Sequence, residues 1–78
     1  MAGDEVASEL RMAQSFATTA ADEASEIGGE MEALRAALLA RDADAALVAL
    51  GRVELVAQRI AENLDGVRSH LRAVAFPD

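Results

Sequence analysis

The sequence contains no cysteine, tryptophan, tyrosine or lysine, and it has only two phenylalanines, one proline and one histidine among 78 residues. Without cysteine the chain can form neither a disulfide framework nor a thiolate metal site. A single histidine leaves few groups for nucleophilic chemistry. The absence of lysine beside many Ala, Arg, Asp and Val residues indicates a high-GC, bacterial genome.

The charge is mostly of one sign, with 14 acidic residues against seven arginines and a net charge of −7. Such a chain is not expected to bind nucleic acid directly, because bulk charge opposes contact with phosphates. The longest nearly apolar stretch, residues 45–57, contains Arg52 and Glu54. It is too short and too charged to span a membrane. The start of the sequence lacks a basic segment followed by an apolar run, so we expect a cytoplasmic protein.

Apolar residues make up 53% of the chain and recur with alternating steps of three and four, which is typical of packed helices. We call each such row of apolar residues a seam. The first seam comprises Val6, Leu10, Ala13, Ala17, Ala20, Ala24, Ile27, Met31, Leu34 and Leu38. The second seam comprises Ala43, Ala46, Leu50, Val53, Ala57, Ile60, Leu64, Val67, Leu71 and Val74. If the second seam forms a core, Leu64→Ala should cost about 2–5 kcal/mol.

The phase of the pattern breaks between Leu38 and Ala43, where Asp42 is a good N-cap for a following helix and Arg41 is suited to a last helical turn. We therefore predict one all-α domain over residues 1–78. A helix at about 4–40, a turn at about 41–43 and a helix at about 43–75 form an antiparallel helical hairpin. Phe76-Pro77-Asp78 is expected to end the second helix.

Two alternatives to this hairpin stay open. A continuous rod is possible because no glycine or proline enforces the turn at 41–44. A break at Gly28-Gly29 would give three helices, since each glycine costs about 0.5–1 kcal/mol in a helix interior. The seam keeps its phase from Ile27 to Met31, which favours one helix across the glycine pair.

The second helix is apolar on more than one side, because Val48 and Leu55 lie well away from Leu50 and Val53 at about 100° per residue. One neighbouring helix cannot cover both sides. We therefore predict a homodimer in which two hairpins form a four-helix bundle. A candidate partner-binding patch has an apolar centre and an arginine rim, namely Val48, Gly51, Arg52, Leu55 and Arg59. The alternative is that the second subunit covers this patch.

Acidic residues concentrate in residues 1–40, where eight of them and two arginines give a net charge of −6. Asp22, Glu26 and Glu30 repeat every four residues and form an acidic stripe on one side of the first helix. The stripe is either a solvated face or a docking surface for a basic partner protein. No metal site is expected there, because the core positions of this stretch are alanine and isoleucine.

Catalytic groupings are absent from the sequence, which contains no Glu-x-x-His pair, glycine-rich phosphate loop or Ser/His/Asp set. His70 lies between Arg68 and Arg72 near the end of the second helix and is expected to be solvated, with its positive form favoured there. We predict no cofactor, no metal and no enzymatic activity.

The sequence therefore predicts a small acidic interaction module, an adaptor or regulator that acts as a homodimer. An alternative is an acidic inhibitor that mimics nucleic acid and blocks a basic partner. A third candidate rests on topology alone, in which the chain resembles the small WXG-type hairpins exported by type VII systems. The turn has no Trp-x-Gly, however, and Val74-Ala75-Phe76-Pro77-Asp78 lacks a tyrosine-centred export signal.

Overall fold

The computed structural model describes residues 3–75 and shows two helices, α1 (Gly3–Leu39) and α2 (Ala43–Ala75). They pack against each other along their lengths as an antiparallel hairpin, which confirms the predicted all-α fold class and excludes the continuous rod. The molecule measures 58 × 19 × 12 Å, so it is one helix thick. The predicted helix end at Phe76-Pro77-Asp78 lies outside the described residues.

α1 continues through Gly28 and Gly29 without a break. Both glycines are exposed, and a Cβ added at either would meet nothing within 4 Å. Ile27 and Leu34 are both half-buried, on the side of α1 that faces α2. Packing on either side of the glycine pair therefore offsets its low helix propensity.

The turn is built by backbone hydrogen bonds and a cap rather than by glycine or proline. The amide of Asp42 donates to the carbonyl of Ala37 at 3.0 Å, and the amide of Arg41 donates to that of Leu38 at 3.1 Å, which is a Schellman motif. Arg41 takes the left-handed conformation with φ 56°. The prediction that Arg41 belongs to the last helical turn is wrong, because the residue follows the helix.

Asp42 starts α2 as predicted. Its Oδ1 accepts a hydrogen bond from the amide of Ala45 at 3.1 Å, which satisfies one of the free donors at the helix N-terminus. The backbone carbonyl of Asp42 also accepts the first helical bond, from Ala46 at 2.9 Å. One residue therefore closes the turn and begins the second helix.

The helices meet along rows that alternate steps of three and four, but these rows are only half of the predicted seams. The buried and half-buried positions of α1 are Val6, Glu9, Ala13, Phe16, Ala20, Glu23, Ile27, Glu30, Leu34 and Ala37. Those of α2 are Ala46, Ala49, Val53, Val56, Ile60, Asn63, Gly66, Val67, His70, Ala73 and Val74. At every second position of a seam, the residue that lies in the contact is the one before the predicted residue, for example Glu9 instead of Leu10 and Ala49 instead of Leu50. Each helix is therefore rotated about its axis relative to the predicted orientation.

The buried core is thin as a result. The well-buried side chains of residues 3–75 are five alanines and one valine: Ala13, Ala20, Ala37, Ala46, Ala49 and Val56. Alanine removes little apolar area from water, and burial contributes roughly 25 cal/mol per Å². Most of the large apolar side chains lie outside this contact.

Candidate functional site

The seam residues that do not face the other helix form one exposed row on each helix. The row on α1 comprises Leu10, Ala17, Ala24, Met31 and Leu38. The row on α2 comprises Leu50, Ala57, Leu64 and Leu71. Each of these residues directly follows a residue of the helix–helix contact. In an antiparallel pair this offset places both rows on the same side of the hairpin, which we call the apolar face.

Two shallow grooves show how the apolar face is built. At the turn, a groove spans both helices, and its lining is Leu34, Leu38, Ala43, Ala46, Leu47 and Leu50. Towards the end of α2, Leu64, Val67 and Leu71 line a second groove beside Arg68 and Arg72. Leu38 keeps 61% of its surface exposed and Leu64 keeps 49%. Apart from Leu34, the leucines of the predicted seams therefore lie on an open surface rather than in a core.

Charge is excluded from the apolar face and returns at its borders. Neither exposed row contains a charged residue. The seam residues that lie in the helix contact between the two rows are uncharged as well. The outer border on α1 includes Gln14 and Arg35, and the border on α2 includes Glu54 and Arg68. A long apolar surface with a polar rim is typical of an interaction site.

The opposite edge of the helix contact is polar, and His70 lies in it. The Nδ1–H of His70 donates to Glu9 Oε2 at 2.5 Å, and both side chains are largely shielded from solvent. The imidazole also stacks on Phe16, with ring centroids 5.7 Å apart and an interplanar angle of 24°. The prediction of a solvated His70 is wrong, because the rotation of both helices turns it towards α1.

Two further glutamates enter the same edge. Glu23 accepts a hydrogen bond from the side-chain amide of Asn63. Glu30 places its Oε2 atom in a buried position where no group of residues 3–75 forms a hydrogen bond with it, which is costly for a carboxylate. The expectation that only alanine and isoleucine occupy the core positions here is therefore wrong. Residues 3–75 nevertheless contain no group of three or more side chains arranged to hold a metal ion.

The acidic stripe does not lie wholly in solvent. Asp22 and Glu26 are exposed, whereas Glu30 is half-buried because the i, i+4 row winds round α1 towards the helix contact. Other acidic side chains of α1 contact α2, since Glu9 forms a hydrogen bond with His70 and Glu23 forms one with Asn63.

The predicted partner-binding patch lies on the side of α2 away from the apolar face. Val48 is 58% exposed and Leu55 is 49% exposed. Gly51, Arg52 and Arg59 are exposed around them. Neither arginine forms an ion pair with any residue between 3 and 75. The two apolar surfaces of α2 are separate, and within the described part of the chain both remain exposed.

Phe16 packs on Gly66 as well as on His70, and neither contact is among those expected from the sequence. A Cβ added to Gly66 would lie 2.8 Å from the Phe16 ring, so the ring occupies the space left by the missing side chain. The available signal was a second seven-residue repeat in α1, in which Glu9, Phe16, Glu23 and Glu30 run beside the first seam.

Three hydroxyl groups of α1 donate hydrogen bonds to the backbone of their own helix. Thr18 and Thr19 donate to carbonyls four residues earlier, and Ser25 donates to the backbone carbonyl of Asp22 at 2.6 Å.

Within the described part of the chain, neither helix has a stretch both long and apolar enough to cross a membrane. No protein-family model, curated protein or solved structure matches the sequence or its fold.

Proposed function

We propose that this protein is a non-enzymatic protein–protein interaction module that acts as a homodimer, in which two hairpins join their apolar faces into a four-helix bundle. The observation that carries the proposal is the apolar face itself. It runs along both helices and is free of charge, and no second layer formed by residues 3–75 covers it.

The orientation of the helices suits a bundle better than an isolated pair. In a four-helix bundle, core residues point between the two neighbours of each helix. The seam residues have this orientation, since one half of each seam contacts the other helix and the other half borders the open side. The two predicted seams would then form the core of the dimer, with Glu9 and His70 at a flank.

Dimerisation would also supply the burial that the hairpin lacks. Each subunit exposes six large apolar side chains on this face, namely Leu10, Met31, Leu38, Leu50, Leu64 and Leu71. Each still exposes between 41% and 61% of its surface, so burying the remainder is worth roughly 1 kcal/mol per side chain. A core of alanines and one valine gains most from such an addition.

Leu64→Ala tests the dimer against a matched control, Leu55→Ala. Both leucines are 49% exposed, but Leu64 lies on the apolar face and Leu55 lies on the side of α2 away from it. In a bundle, Leu64→Ala costs about 2–5 kcal/mol in chemical unfolding and shifts the protein towards monomer. Leu55→Ala has little effect on the dimer. Equal losses below about 1 kcal/mol for both variants would contradict the bundle.

The adaptor role belongs to the patch of Val48, Gly51, Arg52, Leu55 and Arg59, which stays on the outer surface of such a bundle. An apolar centre, with arginines at its rim that form no ion pair with residues 3–75, favours a partner with a complementary apolar and acidic surface.

Affinity capture from the native host with Leu55→Asp and Leu39→Asp baits tests this surface. A specific partner should be lost with Leu55→Asp and kept with Leu39→Asp. Equal capture by both baits would contradict the patch. Capture that instead falls steeply with salt and requires Asp22 and Glu26 would favour the acidic inhibitor.

A further inference from the structure

The borders of the apolar face indicate how the second copy is oriented, an inference that rests on the proposed dimer. Five exposed residues border the face on each helix at intervals of seven. On α1 they are Ala7, Gln14, Ala21, Gly28 and Arg35. On α2 they are Leu47, Glu54, Ala61, Arg68 and Ala75. In a four-helix bundle these positions lie beside the equivalent positions of a facing helix.

Two symmetric arrangements join the apolar faces and keep all neighbouring helices antiparallel. In one, α1 faces α2 of the second copy, and the two-fold axis runs along the bundle. In the other, α1 faces α1 and α2 faces α2, and the two-fold axis crosses the bundle. We propose that the second copy binds in the second arrangement, with like helices facing each other and the axis passing at the level of Ala61.

Charge complementarity carries this choice. With the axis at Ala61, Glu54 faces Arg68 of the second copy, and the same pair forms again on the other side of the axis. Glu54 has no ion pair with any residue between 3 and 75, and Arg68 holds only the exposed Asp65 of its own helix, at 3.0 Å. Two ion pairs would thus be gained without breaking a buried one.

The alternative arrangement pairs no opposite charges. A two-fold axis along the bundle keeps both copies at the same height. Residues that face each other across the two copies are therefore those of α1 and α2 that lie at the same height within one hairpin. Phe16 packs on Gly66, which puts Ala21 level with Ala61. Gln14 then faces Arg68 of the second copy, and Gly28 faces its Glu54.

The sizes of the side chains agree with the charges. In the proposed register, Ala57 faces Leu64 of the second copy near the axis, so a large residue lies opposite a small one on each side. On α1, Ala21 meets its own copy at the axis and Ala17 faces Ala24, which allows the two α1 backbones to approach closely. The alanine-rich middle of the first seam is explained by this contact.

Sliding the copies by one repeat removes the pairing. A shift of seven residues in one direction places Glu54 opposite Ala61 of the second copy, and in the other direction it places Arg68 opposite Ala61. A shift of fourteen residues places Glu54 opposite Glu54 or Arg68 opposite Arg68, and both of these pairs are repulsive. Only the register with the axis at Ala61 joins opposite charges on α2.

The chain has no native cysteine, so single cysteine variants report the arrangement directly. Under mild oxidation, Ala61→Cys should form disulfide-linked dimers rapidly, because the two copies of residue 61 meet at the axis. Gln58→Cys is the control, since it is exposed at nearly the same level but lies on the outward side of α2. It should link only by collision.

Charge reversal supplies a second measurement that needs no disulfide. Glu54→Arg and Arg68→Glu should each weaken dimerisation by roughly tenfold, because both ion pairs become repulsive. The double variant restores both pairs and should return to within about twofold of the native dissociation constant. A double variant weaker than either single one would overturn the proposed register.

The outcomes separate this inference from the proposed function. A native chain that is monomeric in sedimentation overturns the dimer and the arrangement together. If the native chain is dimeric but Ala61→Cys links only when mixed with Ala21→Cys, α1 faces α2, and only the arrangement is overturned.

Discussion

Gly66 and Phe16 show how one missing side chain positions an aromatic ring in this hairpin. A glycine within a helix normally costs stability relative to alanine, by roughly 0.5–1 kcal/mol. At position 66 the absence of a Cβ admits the Phe16 ring, which would otherwise approach it to 2.8 Å. The ring in turn stacks on His70, whose Nδ1 donates to Glu9. The polar edge of the helix contact is therefore organised around Gly66.

Gly66→Ala should destabilise the protein, whereas the same change at Gly29 should stabilise it. The new methyl group at position 66 forces the Phe16 ring to move, at a cost of about 1–3 kcal/mol that exceeds the gain in helix propensity. At Gly29 nothing lies within 4 Å, so alanine should add about 0.5–1 kcal/mol. Urea unfolding of both variants measures the difference. A stabilising Gly66→Ala would show that the ring does not pack there.

At the scale of the elements, the sequence allowed the helices to be predicted but not their rotation. Continuous seams and the N-cap at Asp42 predict two helices, and the two helix ends beside the turn, Leu39 and Ala43, lie within about one residue of the prediction. The rotation of α1 about its axis could not be predicted, because Glu9 lies three residues and Leu10 four residues after Val6. Either residue can continue the pattern of steps of three and four on a helix. Choosing the leucines assumes that the helix pair alone buries the seam. The structure instead leaves half of each seam exposed.

The turn between the helices combines a strained residue with a favourable cap. Asp42→Ala removes the hydrogen bond to the amide of Ala45 and should cost about 1 kcal/mol. Arg41→Gly relieves the left-handed conformation at φ 56° and should stabilise the hairpin by about 1 kcal/mol. Thermal unfolding of both variants measures these effects. If Arg41→Gly were neutral and Asp42→Ala harmless, the turn would not have the geometry described.

At the scale of the whole molecule, the hairpin is a single layer of two helices with apolar surface on two sides. The sequence allowed the exposed positions of Val48 and Leu55 to be predicted, because one helix cannot bury both sides of α2. It did not reveal the polar edge, since Glu9 and His70 are 61 residues apart and only the fold brings them together. The acidic residues of α1 divide accordingly between solvent and the helix contact.

The proposed dimer rests on the apolar face, which holds most of the large side chains that the hairpin leaves exposed on that side. Sedimentation equilibrium of the native chain over a range of micromolar concentrations tests this most directly. We predict a mass of twice the 8.2 kDa chain, with monomer appearing only on dilution. A constant mass of 8.2 kDa across the range, with the chain fully helical, would contradict the account.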